Sequence, residues 1–341
     1  MPSGQSARVP GFRRSGVPDA SLSFHFLPQP SAHRLTFSAV PPAAISFDRV
    51  SKNYGPTTGL HELSLEVGDG ECMGFLGPNG AGKTTAIRVL IGLIKATSGR
   101  TAIRGHDVAT SRLSALREVG YLPGELGLIR EVPGGRLLDA LAALHPRPPV
   151  FRDELLRRFD LDASALRRPT RQYSRGMKQK LGLVAALEHD PPVVILDEPT
   201  GGLDPVMSAR LIEWLSGRAK AGRTVFFSSH VLAEVEELCD RVAMVRDSRL
   251  LVVESVDGLR RARVRNVTVQ FGQPVEPKHY ATAGVGQVDV SGVTHRFTFS
   301  GEARDLVAGL AGLPVVDLSI ETARLEDVFR ARYGVSQGAA A

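Results

Sequence analysis

The 341-residue chain has only two cysteines, Cys72 and Cys239, far apart in sequence, and neither lies in a CxxC pair or at a metal-binding spacing. A disulfide framework and a cysteine-based metal site are therefore excluded. Both residues read as buried thiols of a reducing compartment, each inside an apolar stretch. No uncharged apolar run approaches the roughly 18 to 20 residues of a spanning helix, so the chain is not expected to cross a membrane by itself. Acidic residues are missing from positions 1 to 44 except for Asp19, which faces Arg8, Arg13, Arg14 and Arg34. This Pro- and Ser-rich stretch also lacks the apolar centre of a secretory signal and is read as a disordered N-terminal extension. Half of the net charge of +6 falls there. The remainder shows no basic stripe, so no nucleic-acid partner is expected.

What is present begins with GFLGPNGAGKTTAIRVLIGL, Gly74 to Leu93, in which an apolar strand runs into a glycine-rich loop and then into a helical pattern. Gly77, Pro78, Asn79, Gly80, Ala81, Gly82, Lys83 and Thr84 fit GxxxxGK[ST], with Thr85 continuing into the helix. Glycines let the backbone approach a ligand closely, so several amides can converge on one anion. The helix start adds its dipole, Lys83 a full positive charge and Thr84 a hydroxyl for Mg²⁺. A nucleoside triphosphate is the first candidate ligand.

Apolar residues make up 43% of the chain, enough for one large or two ordinary domains. Strands are expected at 45–49, 61–67 and 71–76, and a helix from about Gly82 to Leu93. Helical patterns follow at 134–145, 150–160 and 175–188, then the strand in PPVVILDEP, a helix at 205–220, the strand TVFFSS and a helix at 231–238. This alternation predicts an α/β core with a mainly parallel sheet. After Glu254 the texture changes. VRNVTVQF and HRFTFS alternate apolar with other residues, and helices are expected at 302–312 and 323–333. The expected organisation is an extension at 1–44, a nucleotide-binding domain at 45–254 with a helical subdomain at about 124–188, a small α+β domain at 255–335, and a flexible tail at 336–341.

Two further stretches carry chemistry. Val193 to Pro199 is an apolar strand that delivers Asp197 and Glu198 at its C-terminal end, where ligands of parallel sheets gather. Asp197 is placed to hold Mg²⁺, and Glu198, on the other side of the strand end, to polarise a water for attack on a γ-phosphate. In TRQYSRGMKQKLGLVAAL, Ser174 reads as the N-cap of a helix and Gly176 flanks its start, a second place for phosphate.

From Ile45 to Glu254 the chain resembles the nucleotide-binding subunit of ABC transporters, with the family's motifs in order. The resemblance implies that Tyr54 stacks on adenine and that Gly77 to Thr84 form the Walker A loop. Tyr173, Ser174, Arg175, Gly176 and Met177 correspond to the LSGGQ signature, which acts on ATP held by a second subunit. Arg175 and Met177 depart from that pattern, although Gln179 lies two positions further on. Asp197 and Glu198 match Walker B and the catalytic glutamate, Gly202, Leu203 and Asp204 the D-loop, and His230 in SSH the switch histidine. In YLPGELGL, Gly124 stands where the family has its Q-loop glutamine, beside Glu125. Glu321 to Gly334 resembles the closing helix of cassettes serving exporters with a separate membrane subunit. The resemblance thus implies an ATPase with ATP and Mg²⁺, a second ATP-binding subunit in a homodimer, and a permease partner docking near Tyr121 to Gly127. It also implies a cytoplasmic location at the inner face of the cell membrane. The alternative is a non-transport relative acting on DNA or ribosomes. Such proteins usually carry two cassettes or a long coiled coil, and neither is seen here.

Overall fold

A computed structural model of the chain describes residues 43–261, 264–280 and 284–322. The extension up to residue 42, the helix expected at 323–333 and the tail at 336–341 lie outside them.

Strands β1 (Ile45–Tyr54) and β2 (Thr57–Val67) pair antiparallel. With β4 (Ser98–Ile103) and β5 (His106–Asp107) they form a four-stranded sheet in the order β2-β1-β4-β5. The second sheet contains β3 (Cys72–Leu76), β6 (Val119–Leu122), β7 (Val193–Asp197), β8 (Thr224–Ser229), β9 (Arg241–Arg246) and β10 (Arg249–Ser255). Its order is β10-β9-β3-β8-β7-β6, parallel throughout except for β10, which closes one edge antiparallel.

The apolar runs in these strands have a direct cause, because both faces of the sheet are covered. Met73, Phe75, Val193, Ile195 and Phe226 point into one core, shared with β1, β2 and helix α1 (Lys83–Leu90). Their neighbours Cys72, Val194, Leu196, Val225 and Phe227 point into the other. That second core is roofed by α3 (Gly134–Leu144), α4 (Arg152–Arg158), α5 (Ala163–Arg167), α6 (Arg175–Leu187), α7 (Pro205–Lys220) and α8 (Leu232–Leu238). The short α2 (Arg112–Leu116) precedes β6. Helix α1 stops at Leu90 and not at Leu93, because Gly92 takes a left-handed φ of 68°. Cys72 and Cys239, remote in sequence, meet in the second core as free thiols, the Cys72 Sγ donating to the Cys239 Sγ at 3.6 Å.

After α9 (Val256–Arg261), strands β11 (Val264–Phe271), β12 (Val285–Ser291), β13 (Thr294–Ser300) and β14 (Val315–Thr322) form an antiparallel sheet ordered β12-β13-β11-β14. Helix α10 (Ala303–Leu310) supplies Leu306 and Leu310 to its separate core.

The ends of the roofing helices are fastened by buried polar groups. Arg152 grips the fully buried Glu188 with Nε at 2.6 Å and Nη2 at 3.0 Å, and Nη2 also donates to the Leu138 carbonyl. One guanidinium thereby ties together α3, α4 and the end of α6. Beside it, the rings of His145 and His189 lie 3.5 Å apart. Burial, aided by the nearby His145 and Arg147, holds His189 down to about 4. In the unfolded chain that imidazole titrates near 6.5. Between those values the unfolded state binds the extra proton, so stability is complete above about pH 6.5 and is lost as pH falls towards 4. We predict that His189→Leu removes about 2 kcal/mol of that acid-induced loss, allowing for solvent screening. Urea titrations of parent and variant from pH 7.5 to 4.5 check this, and parallel pH curves would contradict it.

Candidate functional site

The phosphate loop follows β3, whose five residues are all buried, so the loop is anchored at the C-terminal edge of the parallel sheet. Gly82 must be glycine on two counts. Its φ is 101°, and a β-carbon there would stand 2.6 Å from the Gly59 carbonyl. Gly82 is also the N-cap of α1, with no side chain capping the helix, which leaves its first amides for an anion. Lys83 is 5% exposed, and its Nζ donates to the carbonyls of Gly77 (2.6 Å) and Pro78 (3.2 Å). The same ammonium pairs with Glu198 Oε1 at 3.0 Å.

On β7, Asp197 is fully buried. Its Oδ1 accepts from Ser228 Oγ on β8 at 2.7 Å, while its Oδ2 has no partner among the described residues. An unpaired buried carboxylate oxygen is costly without a cation or donor. A metal ion at Asp197 fits this arrangement. The charge is felt nearby, since burial and then the Asp197 carboxylate push Tyr121 up to about 12. Gly124 leaves room beside the free oxygen, where a β-carbon would stand 3.3 Å from Oδ2. Glu125 is exposed.

Strand alternation does not direct Glu198, which sits in a left-handed turn with φ 50°. That turn brings its carboxylate to Lys83 on one oxygen and to His230 Nδ1 on the other, the latter at 2.6 Å. Lys83, Glu198 and His230, read separately in the sequence, therefore converge on one carboxylate. Tyr54, at the end of β1, is half-exposed and lies against Gly59, beside Thr85 of α1. A flat ring binding next to the phosphate loop would meet it there.

The remaining residues of the reading form a second cluster. Ser174 caps α6 by accepting from the Met177 amide at 3.2 Å, and Asp204 caps α7 by accepting from the Met207 amide at 2.9 Å. Arg175 lays its side chain along Gly202, and Gly176 packs against the Gly202 carbonyl. Ser174 bonds within its own helix start and not to the phosphate loop. Gln179 does not belong to that exposed start, being 5% exposed with Nε2 donating to the Pro199 carbonyl at 2.8 Å.

Sequence reasoning passed over Ser228 and Ser229, although both lie in the SSH stretch read for its histidine. Ser229 Oγ bonds Glu234 at 2.8 Å and receives the Val231 amide, fixing the loop that carries His230. The signal was there in the spacing, since residues 228 and 230 serve the adjacent carboxylates 197 and 198.

Residues 60–201 match the family described as ABC transporter. The chain is 34% identical over 306 residues to the daunorubicin resistance ATP-binding protein DrrA3 of Streptomyces coeruleorubidus, covering 84% of this chain and 94% of that one. To the Nod factor export ATP-binding protein I of Paraburkholderia xenovorans it is 33% identical over 299 residues, covering 85% and 97%. A solved structure of the ATP binding subunit of an ABC transporter matches with a TM-score of 0.59 at 30% identity, over 64% of this chain and 92% of that one.

Replacing Lys83 by Ala removes the cation that the phosphate loop encloses while leaving the loop's own amides in place. ATP affinity is expected to fall by about a hundredfold, the worth of one or two charge-assisted hydrogen bonds. Filter binding with labelled ATP measures it, and affinity within about threefold of the parent would place the phosphates elsewhere.

Proposed function

The chain belongs to the ATP-binding proteins of ABC transporters, and from that premise we propose that it powers export through a separate membrane subunit by hydrolysing Mg-ATP between two copies of itself. Binding and hydrolysis of ATP are the family's activity. Among the described residues no helix is long and apolar enough to cross a membrane. In the proposed arrangement the permease supplies the membrane path and selects the cargo, and this subunit sits against it at the inner face of the membrane. Docking near Tyr121 to Gly127 and an accessory role for residues 255–335 belong to the same proposal. The names of the relatives favour export over an ATPase acting on DNA or ribosomes.

The observation that carries the mechanism is the single carboxylate of Glu198 held between Lys83 and His230. In the proposed reaction the loop amides and Lys83 hold the β- and γ-phosphates, so the incoming charge competes with Glu198 for the ammonium. Glu198 then takes the proton of the water that attacks the γ-phosphorus, and His230 Nδ1 keeps the carboxylate aimed. Asp197 and Thr84 would hold Mg²⁺, which when bound neutralises charge on the phosphate oxygens. Tyr54 stacks on the adenine. Ser174, Arg175, Gly176 and Met177 lie at a different helix start from Gly82, so in this reading they meet the γ-phosphate of the partner copy, with Asp204 at the joint.

This reading requires a dimer with ATP as its glue. Glu198→Gln keeps Asp197 and the shape of the turn but removes the base, so ATP-bound dimers are expected to accumulate. Size-exclusion chromatography with light scattering should give a dimer with Mg-ATP and a monomer with ADP. Adding Ser174→Arg should abolish the dimer while each monomer still binds nucleotide. A Glu198→Gln protein hydrolysing ATP at the parent's rate would remove Glu198 from the role of base.

A further inference from the structure

Glu198 holds an unfavourable backbone conformation, with φ 50° at a residue that is not glycine. Such a turn persists only where its surroundings fix it. Two backbone bonds contribute, from the Glu198 amide to the Ser228 carbonyl at 3.1 Å and from the Gly201 amide to the Glu198 carbonyl at 3.1 Å. The third restraint comes from another element. Gln179, on the second turn of α6, sends its amide nitrogen to the Pro199 carbonyl at 2.8 Å and lies 3.5 Å from the Glu198 carbonyl. Both neighbours are acceptors, so the nitrogen must face them. Pro199 follows the base directly, and the Gln179 side chain is 95% buried, so no water competes easily for the bond.

The same helix touches the following loop at its start, through Arg175 along Gly202 and Gly176 against the Gly202 carbonyl. Helix α6 and the stretch from Glu198 to Gly202 thus pack as one unit at three points. We infer that Gln179 is a positioning residue, which fixes the turn that aims the Glu198 carboxylate and ties it to the helix whose start carries Ser174. It acts through the backbone at 198 and 199, so engagement of Ser174 by a partner's nucleotide bears directly on the base of the same chain. This inference rests on Glu198 being the base.

Two variants of the full chain test it, with steady-state ATP hydrolysis and filter binding of labelled ATP as readouts. Gln179→Met keeps length and packing but loses the donor. It is expected to lower kcat at least about tenfold, as small misplacements of a reacting group do, with ATP affinity within twofold of the parent. Gln179→Glu offers a carboxylate to two carbonyls and should be as slow at pH 8.5. Burial raises such a carboxyl, and once protonated it can donate to Pro199 again. Its kcat relative to the parent should therefore recover at least about fivefold at pH 6. A purely structural role would not produce that recovery. Parental kcat in Gln179→Met, or kcat and ATP affinity falling together, overturns the inference, and so does a Gln179→Glu ratio that is flat with pH. Should the Met variant fail to fold, the pH ratio of the Glu variant decides alone. Glu198→Gln serves as the separating control. If it retains hydrolysis, the base assignment fails. If it is inactive while Gln179→Met is normal, only the positioning role fails.

Discussion

The Asp197 carboxylate is the constraint on which the rest of the site depends. It is wholly buried, and one of its oxygens accepts a bond from the Ser228 hydroxyl. The other has no donor among the described residues. A charge in that position costs several kcal/mol unless a cation answers it. The sheet order makes this placement possible, because β7 lies between β6 and β8 and next but one to β3. Parallel pairing across β3, β8 and β7 then puts the phosphate loop, the serine pair and the two carboxylates along one edge.

Around the neighbouring carboxylate of Glu198 the protein arranges partners from distant parts of the chain. Lys83 answers Glu198, His230 takes its second oxygen, and Ser229 braces the histidine's loop through Glu234. The ammonium is also bonded to two carbonyls of its own loop, so it is held in place whether or not a phosphate is near. A phosphate arriving at Lys83 therefore meets an anion already there. In the proposed mechanism this competition frees the Glu198 carboxylate for a water at the moment nucleotide is in place.

Much of this was legible in the sequence, and for identifiable reasons. The phosphate loop and α1 announce themselves by glycine spacing, β7 by its apolar run Val193 to Leu196, and β8 by the β-branched and aromatic residues at 224 to 227. Helix α6 was readable from Ser174, whose side chain does cap it, and α7 from its helical pattern, while the cap that Asp204 supplies to α7 is a finding of the structure. Strands β6 and β9 were not readable. Val119–Leu122 is four residues long and pairs with β7, remote in sequence, while Arg241–Arg246 is bounded by arginines and is fixed between the remote β3 and the adjacent β10. The same holds for the meeting of Cys72 and Cys239 and for the bond from Gln179 to Pro199. The left-handed turn at Glu198 carries no sequence signal of its own, since glycine or asparagine would be the usual occupant.

The central claim is that the free oxygen of Asp197 exists to hold the metal that accompanies nucleotide. Titration of the full chain with Mn²⁺ in the presence of ADP, followed by electron paramagnetic resonance of the unbound ion, addresses it without depending on hydrolysis. The account predicts one Mn²⁺ bound per nucleotide in the parent. In Asp197→Asn, which keeps shape and the Ser228 contact but removes the charge, Mn²⁺ affinity should fall by at least about tenfold while metal-free ADP still binds. Equal Mn²⁺ affinity in parent and variant would contradict it.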